Sequence, residues 1–154
     1  MRAEIDCLAV TDHNSGDWID CLKEALSQLD TEKSAGYRPL LLFAGVEITV
    51  TGGVHLLAIL PSEKGTTDIA RLFGSVGFEK ESDQQTHLSF EKVAAKIEEA
   101  GGIAIPAHVD REKRLFKMLS GQSLQTVLSC DHIFAMEIVD SQFEKPKVYT
   151  EVTP

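Results

Sequence analysis

Cysteine is scarce in this chain of 154 residues. The three present, Cys7, Cys21 and Cys130, are odd in number, widely spaced and set in apolar or helical surroundings. This excludes a disulfide framework and a thiolate zinc site, and it fits a reducing, cytoplasmic setting. Positive charge is short as well: 15 Lys and Arg face 24 Asp and Glu, for a formal net charge of −9. No basic face is available to neutralise a nucleic-acid backbone, so nucleic acid is not an expected partner. A phosphate-bearing substrate would need a local cation such as a bound metal. No apolar run approaches the roughly 20 residues that cross a bilayer, and the opening MRAEIDCLAV carries too short an apolar segment for a secretion signal. Internal repeats and low-complexity tracts are absent too. A soluble protein with no membrane partner is expected.

What is present suits one core. Hydrophobic residues make up 43% of the chain, enough for a single domain of ordinary size. Short apolar runs at 5–10, 40–48, 54–60, 103–106 and 135–139 read as strands buried on both faces. Helical spacing connects them. Trp18, Leu22, Ala25, Leu26 and Leu29 fall on one face of a helix, as do Phe90, Val93, Ala94, Ile97 and Ala100 of another. Ser89 is a suitable N-cap and Gly101-Gly102 a suitable stop. Shorter helices are expected over 68–73, 112–119 and 124–128, and an exposed loop over 74–87. Strands alternating with helices predict an α/β protein with a mostly parallel sheet or barrel. One pair departs from this: Gly52-Gly53 between two β-rich runs predicts an antiparallel hairpin with a two-residue turn, setting His55 near Val50.

The ionisable residues gather at strand ends. Asp12 and His13 follow the first strand, Glu47 lies near the end of the second, and His108 with Asp110 follows the run IAIP. In parallel α/β architectures the loops leaving the C-terminal strand ends meet on one rim. His55, near the hairpin tip, belongs to the same rim. Imidazole and carboxylate without thiolate suit zinc, manganese or iron. Each residue also has an ordinary alternative. His13 can be a turn residue, with Asn14 or Ser15 capping the first helix; Glu47 can be a strand-end ion-pair partner; His55 can be a half-buried hairpin residue; and His108 can neighbour a helix cap supplied by Asp110. His87 and His132 read as surface or capping residues. Arg111 and Arg114 read as a solvated helix face with phosphate contact as the alternative.

The segments AVTDHNS, FAGVEITVTGGVHLLAIL and GGIAIPAHVDR together resemble successive motifs of the PHP (polymerase and histidinol phosphatase) family, most closely the PHP domains fused to larger ATPase proteins. The resemblance runs from Ile5 to about Asp140. It implies a distorted (β/α)7 TIM-like barrel, divalent metal ions at the C-terminal rim, and hydrolysis of a small-molecule phosphate ester by metal-activated water. Carried over by motif, His13, Glu47, His55 and His108 are implied metal ligands, Asp12 a ligand or a partner of one, and Asp12, His13 and His108 the residues acting in the reaction.

The family's opening His-x-His and closing Asp-x-His motifs are missing. The resemblance therefore implies a partial PHP domain over 1–140, an incomplete barrel of about five strands, and a tail over 141–154. Open sheet edges predict self-association, and the fusion likeness predicts association with an ATPase module. Two readings of function remain: a metal-dependent phosphoesterase, impaired by the missing motifs, or a non-catalytic remnant acting as a regulatory or interaction domain.

Overall fold

A computed structural model describes residues 5–33, 35–78, 84–112, 114–144 and 146–147. Strand β1 (Cys7–Val10) is followed by helix α1 (Ile19–Thr31), strand β2 (Leu41–Thr49) and strand β3 (His55–Ile59). Then come helices α2 (Thr66–Ser75) and α3 (Phe90–Glu99), strand β4 (Ile103–Pro106), and helices α4 (Leu115–Met118) and α5 (Gly121–Leu128). The strands form one sheet in the order β1-β2-β3-β4.

Only β1 and β2 are parallel; β2–β3 and β3–β4 are antiparallel. The expectation of a mostly parallel sheet is corrected by the hairpin: once β3 is reversed, β4 beside it runs in the direction of β1 and β2. The ends at which β1, β2 and β4 leave the sheet thus share one rim with the start of β3. The hairpin also corrects its own register. Val50 N–H donates to Val54 O at 2.9 Å, and the loop at the tip is Thr51-Gly52-Gly53, with φ of +91° and +76° at the two glycines, a region open to glycine without steric penalty. His55 therefore pairs with Thr49, not with Val50.

One face of the sheet is the core. Ala44, Val46 and Ile48 of β2 and Leu56 and Ala58 of β3 are at most 0% exposed. They join Ile69 and Leu72 of α2 and Val93, Ala94 and Ile97 of α3 in one cluster. The opposite face, carrying Phe43, Glu47, His55, Leu57 and Ile105, is only half-buried, and Leu41 and Ile103 on it are exposed. The strands are not buried on both faces as their apolar runs suggested. Nor is the apolar side of α1 covered throughout: Ile19 is buried, whereas Trp18 is 62% exposed and Leu22 and Leu29 are also exposed.

The run 135–139 is not a strand. It lies beside the exit of β4, held by Glu137 N–H to Pro106 O (2.9 Å) and Val109 N–H to Glu137 O (3.0 Å), with one isolated bridge between Ala104 and Ile133. Where an incomplete barrel of about five strands was expected, the described residues hold a four-stranded mixed sheet. Helix starts also move. Helix α1 has Trp18 at its N-cap position, and Ser15 Oγ turns to Asp17 instead. Arg114 precedes α4, so Asp110 does not cap it. The polar loop after α2 is not wholly exposed either: Thr86 is buried and its hydroxyl donates to Val76 O. Part of that loop, residues 79–83, lies outside the described residues.

Candidate metal centre

The backbone past β1 keeps the β1–β2 register. Glu47 N–H donates to Asp12 O at 3.0 Å and Asn14 N–H to Glu47 O at 2.8 Å, so His13 pairs with Glu47 in a parallel bridge. Close contact of these strands depends on Gly45, where a Cβ would sit 2.8 Å from Val10 O and 3.1 Å from Ala58 O. Side chains alternate along a strand, so Glu47 and Thr49 share a face, and His55, directly opposite Thr49, shares it too. Paired with Val50, His55 would point into the core face. The three-residue loop tip is what brings His55 to Glu47.

His13, Glu47 and His55 each offer one ligand atom, and these atoms lie within 4.8 Å of one another. The His13 and His55 ring centroids are 5.2 Å apart, as are those of His55 and His108. His13 Nε2 lies 2.8 Å from Thr49 Oγ1, fixing the ring as an outer partner fixes a metal-binding histidine. Glu47 Oε1 stands 2.6 Å from His55 Nδ1, and its Oε2 stands 3.9 Å from His108 Nδ1. The buried His55 Nδ1 nevertheless has no partner in hydrogen-bond geometry. Two donor atoms that are close without being aligned on one another are arranged as ligands sharing an ion are. Burial pushes the His55 imidazole below its usual range; Glu47 opposes this, while Arg114, His108 and His13 reinforce it. The neutral imidazole is the form that binds metal.

The four implied ligands thus meet in one place, three in the tight group and His108 beside it. Asp12 contributes its backbone carbonyl, and the residue is exposed. Asp110 stands apart, its buried carboxylate accepting the N–H groups of Val139 (3.1 Å) and Asp140 (2.8 Å). His87 is exposed, and His132 pairs with Glu98.

Comparison with solved structures gives a likeness of fold. A protein of Bifidobacterium adolescentis, provisionally assigned as a metal-dependent phosphoesterase, matches with a TM-score of 0.50 at 18% sequence identity, over 87% of this chain and 67% of that one. No protein-family model and no curated protein sequence matches the chain.

Two site residues escape a reading of the sequence. Thr49 supports His13 as described above. Glu137 Oε2 accepts the His108 N–H at 2.8 Å and lies 3.3 Å from His108 Nδ1. That contact holds His108 in place although its φ is +34°, an uncommon and strained value for a residue with a side chain. The one available signal was an acidic residue interrupting the apolar run AMEIV.

Proposed function

We propose that this chain is a metal-dependent phosphoesterase of the PHP type, acting on a small-molecule phosphate ester. The observation that carries the reading is the convergence of His13, Glu47 and His55, with the buried His55 Nδ1 left without a hydrogen bond. Two imidazoles and a carboxylate are a catalytic zinc ligand set that leaves a position open. Zinc, manganese or iron would fit; when bound, such an ion supplies positive charge against the phosphate oxygens and a water acidified toward neutrality.

The chain's own residues have separate tasks. His13, Glu47 and His55 hold the ion, with Thr49 orienting His13. The second Glu47 oxygen faces His108, and Glu137 fixes that histidine at the edge of the group, where it can hold or release a proton at the reacting oxygens. With an overall charge of −9, the attraction for a phosphate must come from local cations, the ion first and then Arg114, whose charge reaches His55.

Metal analysis of purified protein, with hydrolysis of a chromogenic phosphate monoester and diester under added manganese, tests the proposal. Turnover lost in His55→Ala is the supporting result; a manganese-loaded protein with no turnover rejects it. One observation favours the non-catalytic alternative: among the described residues a single three-ligand group is found, room for one ion. The same assay separates the two readings.

A further inference from the structure

Beside the histidine cluster, and not over it, lies an open cleft of about 490 Å³ lined by residues 14–17 and by α2 with the residues following it, within the size range of small-molecule sites. Asn14 joins the two, since it follows His13 in the chain and its N–H donates to Glu47 O. The apolar wall is Ile69, Ala70, Phe73 and Phe78, and the two phenylalanine rings are 5.0 Å apart.

Each side-chain donor group of the polar wall already makes one hydrogen bond within the protein. Ser15 Oγ donates to Asp17 Oδ2, Thr66 Oγ1 donates to Gly16 O, and Asn14 Nδ2 donates to Gln84 O. The acceptor that remains open is the carboxylate of the exposed Asp17. No basic residue lines the cleft among the described residues. The Asp17 carboxylate repels a phosphate and calls for a donor or a cation.

We infer that the cleft beside His13 seats the leaving group of the ester, an uncharged or cationic organic group with an aromatic or branched apolar body and an N–H or O–H donor directed at Asp17. This rests on the phosphoesterase reading for the word "leaving". The binding site itself stands on the cleft.

Tyramine is the probe, with 3-(4-hydroxyphenyl)propionate as its anionic counterpart, titrated into metal-free protein by NMR. Tyramine is expected to shift the Ile69, Phe73 and Phe78 signals, and the anion to bind about tenfold more weakly or worse. Asp17→Asn narrows that preference. Gly74→Leu fills the cleft from α2, where a Cβ meets nothing within 4 Å. It is expected to remove tyramine binding and to lower the kcat/KM preference for the tyramine phosphate monoester over methyl phosphate by about tenfold. Equal binding of the two probes by the wild-type protein, or no shifts with tyramine, overturns the inference whether or not the protein hydrolyses methyl phosphate. Tyramine binding with no hydrolysis of either ester overturns the phosphoesterase reading and with it the leaving-group role.

Discussion

Replacing Gly45 by alanine tests the metal centre through the backbone that builds it. The added Cβ would stand 2.8 Å from Val10 O and from Thr11 Cγ2, and 3.1 Å from Ala58 O, where ordinary contact begins at 3.4 Å. Two of the three neighbours are main chain, so strand β1 must retreat by roughly 0.6 Å. Such overpacking costs about 1–3 kcal/mol. With a urea m-value of about 2 kcal/mol/M, the unfolding midpoint falls by roughly 0.5–1.5 M. The larger consequence is at the site. His13 rides on the continuation of β1, whereas Glu47 and His55 belong to β2 and β3, so the shift separates the ligands. Metal-ligand distances tolerate only about 0.2 Å, and zinc affinity should drop by about 10-fold or more. Urea unfolding followed by circular dichroism and calorimetric titration with zinc read the two effects. Gly74→Ala is the control, being unobstructed and helical; it should be neutral or stabilising by up to about 1 kcal/mol. A Gly45→Ala protein with wild-type midpoint and wild-type zinc affinity would refute the reasoning.

Thr49→Val removes the oxygen beside His13 Nε2 but suits a buried strand position, so zinc affinity should fall by about 10-fold while the unfolding midpoint stays near wild type; a parallel loss of both would assign Thr49 to packing alone. Glu137→Ala leaves the His108 N–H without its acceptor and should destabilise the chain by about 1 kcal/mol, with Glu137→Gln recovering most of it; equal losses in thermal unfolding would show that the hydrogen bond is not what matters. Asp68 has its carboxyl held below the usual range chiefly by the Gly65 N–H, with burial opposing and Lys64 and Arg71 assisting. A depressed carboxyl stabilises the fold above its ordinary pKa and loses that contribution as pH falls below about 4. Asp68→Asn should therefore show a shallower loss of stability on acidification, and identical acid titrations of the two proteins would exclude the linkage.

The residue types at the strand ends were legible because they are local. An apolar run ending in Asp12-His13, a Val-Glu step at 46–47 and Ala-His at 107–108 offer candidate ligands without reference to anything distant. The helix over residues 90–99 and the strand at 103–106 were equally legible, since period and caps are properties of the segment itself. Elsewhere the chain misled for a physical reason. The run at 135–139 has strand composition, but among the described residues it makes one backbone hydrogen bond to β4, at Pro106, and one to Val109 beyond it, with one neighbouring bridge, so pairing, which composition does not specify, decided against a strand. Asp110 looked like a helix cap because its distant partners at 139 and 140 are invisible in its neighbourhood.

The sequence by itself determined that a hairpin forms at Gly52-Gly53 and that imidazoles and carboxylates without thiolates gather near strand ends. Only the tertiary structure decided that the loop tip has three residues instead of two. That single step turns His55 from the core face to the face of Glu47, because side chains alternate at every residue along a strand. It likewise decided the direction of β4, the support of His13 by Thr49, and the capture of His108 by Glu137. Each of these depends on which strand lies beside which and in what register. Such contacts are fixed by packing across tens of residues, whereas the pattern within a segment fixes only what that segment can offer.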